Sequence, residues 1–323
     1  MIGSVALLVA CAGIATVLVS FRPCTAEGGG VQWIEATPDE VLSRARQEKR
    51  RVLLEFSASW CPSCKALEAE VLSTRDGVEL AAGLLPLRVD FDAESSRPLV
   101  ERYVVLSLPT VVVLTPEGEQ VGRVEGYDGR DDWLAKARDA VRSNDPLPAL
   151  RAALNARPDD LATRLRLGHA LLVRGETADG EAFLEGVVWQ ADARHAAEAA
   201  EALFVLGRYY QRVKRDPATA RHVWRELATR FPDSEWASGA WWWYAKAQVD
   251  LGRHEAGFVA LRSRAQKTPD HIDAVLELGE LVASHEALKA HRAEALAAVE
   301  RVSAKAPSDR RGELAELAAR LRE

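Results

Sequence analysis

One feature restricts the fold of this chain more than any other: a hydrophobic segment runs directly into two closely spaced cysteines. Val52–Phe56 has the composition of a buried strand, and Cys61 and Cys64 follow it where a helical pattern begins. The strand therefore places Cys61 at the N-terminus of a helix, where unpaired N–H groups and the helix dipole favour a thiolate. Pro62 suits the first turn of that helix because a proline has no N–H to lose.

This placement predicts a redox pair. The thiolate is the nucleophilic form, so Cys61 is expected to attack a disulfide, and Cys64, one helical turn later, can resolve the mixed disulfide. Two other interpretations are half of a zinc site and a structural disulfide. No second Cys or His pair lies nearby to complete a zinc site, and so small a disulfide loop would add little stability.

The remaining cysteines and the histidines narrow the chemistry further. The chain has four cysteines, and the other two, Cys11 and Cys24, lie near its start. All seven histidines follow residue 160, so a Cys-His hydrolase would have to take its base from the other half of the chain. We expect no metal ion and no cofactor other than the redox-active disulfide. The net charge of −6 argues against nucleic acid as a partner.

Strand and helix patterns alternate over residues 31–143. Their order, β-α-β-α-β-α-β-β-α, predicts a mixed sheet with helices on both faces, an α/β fold. The predicted strands are 32–34, 52–56, 85–91, 110–114 and 120–124, and the predicted helices are 38–49, 66–72, a segment ending at 103, and 130–143.

Three motifs in this region resemble thioredoxin. They are Trp60-Cys61-Pro62-Ser63-Cys64-Lys65, Ser107-Leu108-Pro109-Thr110 before a hydrophobic strand, and Gly126-Tyr127 after the last strand. Within that family, the segment from Cys64 to Glu68 resembles the exported C-terminal reductase domain of DsbD. The resemblance implies a protein thiol–disulfide oxidoreductase.

The resemblance also implies roles for residues around the cysteines. Pro109, with Leu108 and Thr110 beside it, would form a cis-proline loop that faces the cysteines and presents backbone to an incoming peptide. Glu55 would be a buried acid that takes the proton from Cys64, or alternatively a strand acid that reaches solvent. Glu68 matches a second acid, although a solvated helix face is an equal alternative.

Four further residues complete the expected site. Trp60 is expected to pack beside the cysteines and shield them, and Lys65 is expected to be a solvated helix charge. Pro62 and Ser63 stand where thioredoxin has Gly-Pro. Because no histidine lies between the cysteines to stabilise the thiolate further, a reductase is favoured over a strong oxidant.

The N-terminal segment is predicted to be a targeting or anchoring segment. Ile2–Phe21 contains no charged residue, so residues 1–26 are expected to be a signal peptide cleaved after Ala26, or a membrane anchor formed by residues 2–21. Either interpretation predicts an exported protein, in the bacterial periplasm, that is soluble or anchored.

The second half differs in character. Asp145-Pro146-Leu147-Pro148 predicts a linker over residues 144–159, and residues 160–323 read as amphipathic helices. A small residue recurs at roughly even intervals, at Gly168, Gly207, Ala245 and Gly279. This repetition resembles degenerate tetratricopeptide repeats, with a generic helical array as the alternative. Such repeats stack into a curved solenoid that binds proteins.

A run of aromatic residues offers a contact surface in this half. The run is Trp241-Trp242-Trp243-Tyr244. Four consecutive residues of one helix cannot all face the core, so part of the run is expected to be exposed or to cover a neighbouring helix. The sequence thus predicts an exported protein-disulfide reductase whose repeats recruit a protein client or redox partner, with a membrane electron donor. The alternative is a repeat-based binding protein or holdase chaperone in which the cysteine pair is auxiliary.

Overall fold

The computed structural model describes residues 29–142 and 145–323. The segment expected to be a signal peptide or anchor, residues 1–26, lies outside this part of the chain. Within the described residues, no helix combines the length and the apolar character needed to cross a bilayer.

A four-stranded mixed sheet forms the centre of the first half. Its strands are β1 (Val52–Ser57), β2 (Leu85–Asp90), β3 (Thr110–Leu114) and β4 (Gln120–Glu125). Their order across the sheet is β2-β1-β3-β4, with β1 parallel to β2 and antiparallel to β3, and β4 antiparallel to β3. The predicted mixed sheet is confirmed, with β1 at its centre.

The strand predicted at residues 32–34 is wrong. The segment runs along the outer edge of β2 and makes one backbone hydrogen bond there, from the Ile34 N–H to the Pro86 carbonyl oxygen at 2.9 Å. Pro86 lies within β2 and has no N–H to donate in return, so a regular ladder cannot form at this edge.

Helices cover both faces of the sheet, as predicted. Helices α1 (Pro38–Glu48) and α4 (Arg97–Arg102) pack on one face. Helices α2 (Pro62–Leu67), α3 (Arg75–Ala81) and α5 (Arg130–Arg142) pack on the other. Side chains alternate along β1, so its even-numbered residues belong to the first core and Leu53 to the second. Glu55 therefore points to the same side of the sheet as α2.

Short irregular turns connect these elements. A π-helical turn extends α2, and a 3-10 turn precedes α4. They span Glu68–Leu72 and Glu94–Ser96. Helix α3 was not predicted, because its seven residues bury little apolar surface and give a weak periodic signal.

The second half is helical throughout its described residues, 145–323, and contains ten α-helices. These are α6 (Leu147–Ala156), α7 (Leu161–Val173), α8 (Thr177–Gln190), α9 (Ala196–Arg208), α10 (Pro217–Arg230), α11 (Ala240–Asp250), α12 (His254–Lys267), α13 (Ile272–Ala283), α14 (Arg292–Ser303) and α15 (Arg311–Arg322). The expected linker at 144–159 is thus mostly the helix α6, whose Leu147 packs with Leu167 and Leu171 of α7. Pro146 and Pro148 predict a break in the chain, yet they occupy the start of a helix, where proline is tolerated.

The recurring small residues lie where helices cross. A Cβ atom on Gly207 would come within 2.7 Å of the Trp224 ring on α10, and one on Gly279 within 2.7 Å of Leu317 on α15. Gly168 similarly faces Phe183 of α8 at 3.0 Å. The repetition in the sequence therefore marks the close contacts by which successive helices stack.

The helical half packs directly on the sheet domain. Val104 and Leu106, which follow α4, are buried in the same apolar core as α8, α9 and α10. The Arg97 guanidinium donates to the carbonyl oxygen of Arg212 at 2.7 Å and to that of Val213. Buried apolar contact and charged hydrogen bonds thus join the two halves on the side of the sheet domain that carries α4.

Candidate active site

The two cysteines form a disulfide at the start of α2. Cys61 is the N-cap residue, and its Sγ atom accepts a hydrogen bond from the Cys64 N–H at 3.2 Å. Each residue is only 3% exposed, and the pair packs with Ala58, Phe91 and Leu108. The strand-to-helix turn that follows β1 thus brings the sulfur of Cys61 to free N–H groups of a helix, the setting in which a thiolate is stabilised.

The loop before β3 lies beside the disulfide. Its Leu108–Pro109 peptide bond is cis, as the resemblance to thioredoxin implies. The Leu108 carbonyl accepts a hydrogen bond from Ser63 Oγ at 3.3 Å, and the Pro109 carbonyl accepts one from the Gly126 N–H at 2.8 Å. The Thr110 hydroxyl, fully buried, donates to the Ser107 carbonyl at 2.7 Å. These bonds fasten the loop between α2 and β4.

Trp60 is more open than expected. Its side chain is 54% exposed, and its indole N–H donates to Asp92 Oδ2 at 2.5 Å. The hydrogen bond fixes the indole to the segment after β2 while leaving about half of the residue exposed. Sequence reasoning missed Asp92, which follows β2 by two residues and has no motif of its own.

Glu55 is buried behind the cysteine-bearing helix. Only 1% of the residue is exposed, and its Oε2 atom accepts a hydrogen bond from Arg88 Nε at 2.5 Å. Burial raises the pKa of the Glu55 carboxyl, and the positive charge of Arg88 opposes that rise. The Oε1 atom has no hydrogen-bond partner among the described residues. Of the two alternatives left by the sequence, a solvent-reaching acid is therefore wrong.

Arg88 connects both acids of the site. Besides Glu55 it bonds to Glu68, and its guanidinium lies 4.4 Å from the centroid of the Trp33 ring. Glu68 is partly exposed and is held by Arg88 as well as by the Ser73 hydroxyl, so it is more than a solvated helix charge. The sequence carries one signal for Arg88, since it is a charged residue between the apolar Leu87 and Val89 of a strand.

A cavity of about 620 Å³ opens on Cys64. Arg88, Glu68 and Lys65 are among its lining residues. Lys65 is exposed, as expected for a helix charge. The cavity gives Cys64 access to a polar surface that is linked through Arg88 to the buried Glu55 carboxyl.

The aromatic run on α11 is not an exposed contact surface. Trp241, Trp242, Trp243 and Tyr244 are all partly buried, and they pack on the two apolar cores of the helical half. The sequence could not show that a core lies on either side of this helix. The most exposed tryptophan that the structure describes is Trp189 at the end of α8, with 89% of its side chain accessible.

No group of three or more His, Cys, Asp or Glu side chains in the described ranges is arranged to hold a metal ion. The site consists of a Cys-x-x-Cys disulfide at a helix N-terminus, a cis-proline loop and a buried acid. That combination, on a mixed sheet with helices on both faces, is typical of thiol–disulfide oxidoreductases with a thioredoxin-like fold.

Comparison with known proteins agrees with this class. Residues 38–140 match the family model described as a thioredoxin-like domain. Thioredoxin H2-1 of Oryza sativa subsp. japonica is 33% identical over 128 residues, which cover 38% of this chain and 87% of that protein. Through this region the chain belongs to the thioredoxin family.

Two further proteins are similar to the same region of the chain. The thiol:disulfide interchange protein DsbD 2 of Pseudomonas aeruginosa is 37% identical over 84 residues, 25% of this chain and only 14% of that protein. Among solved structures, a protein titled DsbH oxidoreductase is 24% identical, with 40% of this chain and 95% of that chain covered and a TM-score of 0.32.

Proposed function

We propose that this chain is an exported protein-disulfide reductase. The observation that carries the proposal is the position of Cys61, which caps α2 beside the cis-proline loop and next to the exposed Trp60 ring. A client disulfide has an aromatic surface and a loop backbone to lie against at this edge. Helix N–H groups stabilise the thiolate that attacks it.

The chemistry follows in two steps. In the reduced chain the Cys61 thiolate attacks one sulfur of the client disulfide, and the other client sulfur leaves as a thiolate and is protonated. Cys64 then loses its proton to the Glu55 carboxylate and attacks Cys61. This forms the Cys61–Cys64 disulfide and releases the second client thiol, so that two electrons pass to the client. A thiol donor restores the dithiol.

Glu55 suits the role of proton acceptor because burial raises the pKa of its carboxyl toward that of the group it serves. Arg88 fixes the carboxyl with its second oxygen, Oε1, left without a partner among the described residues. No cofactor is needed in this scheme beyond the disulfide itself.

The direction of electron flow is tested by the reduction potential. The purified chain is equilibrated in glutathione or dithiothreitol buffers, and the oxidised fraction of Cys61 and Cys64 is measured after alkylation. A value near or below about −250 mV is expected for a reductase, and a value above about −180 mV would indicate an oxidase or isomerase.

We further propose that the helical half consists of tetratricopeptide-like repeats that bring a protein client to the redox site. Small residues at the helix crossings and packing of the repeats on the sheet domain support this. A client held there would meet Cys61 at a high effective concentration. The absence of charge over residues 2–21 supports export. In the periplasm, a membrane electron donor would supply the electrons.

A second function, binding of unfolded or partner proteins, is favoured by one observation. Trp189 stands almost fully exposed beside a groove lined by Val188, Leu203, Leu206 and Val223. Such apolar surface serves protein binding. The Cys61→Ser variant separates the two, since it abolishes disulfide reduction and leaves any suppression of client aggregation intact.

A further inference from the structure

Two arginines of the helical half lie together at its contact with the sheet domain. Arg208 ends α9, and Arg212 lies one turn later in the π-helical turn Tyr209–Val213. Both guanidinium groups lie over the Trp243 ring, at 4.1 Å and 5.2 Å from its centroid. Two positive charges therefore share one aromatic surface.

Neither arginine forms an ion pair within the described residues, and Asp92 is the carboxylate whose charge acts on Arg212. No ion pair joins either side chain to a carboxylate, and Nε and Nη1 of Arg208 and Nη1 of Arg212 are buried without a hydrogen bond. Burial lowers the pKa of Arg208 to about 9, and the charge of Arg212 adds to that shift. Unpaired, largely buried cations are costly, so this arrangement favours an anion close to the two side chains.

The pair lies at the edge of the redox site. The Arg212 guanidinium is 5.4 Å from the centroid of the Phe91 ring, and Phe91 packs against the small cluster that contains Cys61 and Cys64. The next residue, Asp92, accepts the hydrogen bond from Trp60 and interacts electrostatically with Arg212. The hydrogen bonds from Arg97 to the Arg212 and Val213 carbonyls hold the turn in this position.

We infer that Arg208 and Arg212 form a carboxylate-binding site that the helical half adds to the redox site, and that it takes an acidic side chain of a polypeptide client close to the client's disulfide. A guanidinium presents paired donors that match the two oxygens of a carboxylate. The inference rests on the proposed function, because the client is the protein whose disulfide Cys61 attacks. It adds a preference for acidic sequence around that disulfide.

The test uses two peptides of the same sequence, each with one cysteine in a mixed disulfide with 2-mercaptoethanol. One peptide carries two Glu residues near the cysteine and the other carries Gln at the same positions. The second-order rate constant for reduction by the dithiol form of the chain is followed by stopped-flow tryptophan fluorescence at low salt. We expect the Glu peptide to react about tenfold faster, and the ratio to fall as salt is added.

Variants assign the preference to the arginine pair. Arg212→Met and the double variant with Arg208→Met should bring the ratio of the two rates close to one while the Gln peptide reacts as before. The control is Arg225→Met, which removes the same charge from an exposed position on α10 and should leave the ratio unchanged. If Arg212→Met does not fold, Arg212→Lys takes its place. It keeps the positive charge but loses the paired N–H donors of the guanidinium, so it should lower the ratio of the two rates in part.

Three results would overturn the inference: equal rates for the two peptides with the parent chain, an unchanged ratio in the folded Arg212 variants, or equal loss in Arg225→Met. Equal rates would assign the arginines to cation–π packing between the two halves. If neither peptide is reduced, the proposed function fails instead, so the two failures are distinguishable.

Discussion

Glu55 and Arg88 face each other across the parallel strands β1 and β2, and Arg88 Nε lies 2.5 Å from Glu55 Oε2. The pair sits in a sheet whose neighbouring positions are apolar, so one charge is tolerated because of the other. Arg88 is also partly exposed at the cavity on Cys64. The interaction thus links the interior of the sheet to the resolving cysteine.

Replacing Glu55 with Gln should slow resolution of the mixed disulfide by about 100-fold, because the proton acceptor for Cys64 is lost. The measurement is single-turnover release of the second client thiol. Glu79→Gln, the same charge change on an exposed helix, is the control. Equal resolution rates in Glu55→Gln and the parent would exclude Glu55 as the acceptor.

The same variant has a stability signature. The folded pKa of Glu55 is raised above its unfolded value, so the folded state holds this proton more tightly and loses stability as the pH rises through the folded pKa. Glu55→Gln should therefore have the larger free energy of unfolding at neutral pH, and the difference should vanish on acidification. Urea unfolding at several pH values measures it, and a difference that grows on acidification would contradict the sign.

Replacing Trp60 with Ala should slow reduction of protein disulfides by about tenfold, since an exposed aromatic beside the nucleophile is a typical contact residue. Reduction of a small disulfide such as bis(2-hydroxyethyl) disulfide should change little. Trp60→Phe, which keeps an aromatic ring at the same position and loses only the hydrogen bond to Asp92, is the matched control. Equal losses for protein and small disulfides would mean that Trp60 acts on the cysteines rather than on the client.

Glu125 of β4 forms an ion pair with His169 of α7 and so lies at the contact between the two halves. Burial would raise its pKa, but Arg123, at 2.8 Å, and His169 of α7, at 3.2 Å, together hold the pKa of its carboxyl below its ordinary value. The stabilisation is therefore complete above the unfolded pKa and is lost as the pH falls through the folded one. Glu125→Gln should lower the free energy of unfolding at neutral pH by about 2 kcal/mol, because the largely buried Arg123 guanidinium loses its partner.

The control for this change is Glu117→Gln, in the exposed turn between β3 and β4, where the effect should stay below about 0.5 kcal/mol. Urea unfolding provides the measurement for both. Equal effects at the two positions would mean that the ion pair contributes nothing to the contact between the halves.

Gly207→Ala should destabilise the helical half by about 1–3 kcal/mol, because the added Cβ would lie 2.7 Å from the Trp224 ring. Gly186→Ala, inside α8 where the nearest atom belongs to a flexible Arg164 side chain at 3.7 Å, should instead stabilise by roughly 1 kcal/mol. Thermal unfolding followed by circular dichroism compares them. A stabilised Gly207→Ala would mean that this crossing does not determine how α9 and α10 stack.

Local patterns in the sequence predicted most of the sheet domain. Apolar runs bounded by turn residues marked all four strands, and the spacing of Cys61 and Cys64 marked the start of α2. The expected strand at 32–34 failed for a reason that depends on its neighbour, because Pro86 in β2 cannot donate to it. Pro146 and Pro148 misled in the opposite way, since proline both ends segments and begins helices.

The site was harder to predict than the fold wherever a role depends on pairing. Arg88 lies 33 residues from Glu55, and only the register of β1 on β2 brings the two together. The surroundings of Trp243 also depend on distant segments. It was expected in a contact surface, but it packs on the apolar core of the helical half, and two arginine side chains lie over its ring. The pattern of one sequence shows the periodicity of each helix or strand. It does not show which residues of two distant segments lie opposite each other.

Burial of Val104 and Leu106 among the helices fixes the distance between the helical half and the redox site. With the two halves joined by a packed core, the distance from the helical surface to Cys61 is expected to stay constant while a client binds. An extended chain spans about 3.3 Å per residue, so a client reaches Cys61 only if its disulfide lies the right number of residues from the segment that is held. Clients of equal affinity would then be reduced at rates set by that spacing along their sequence.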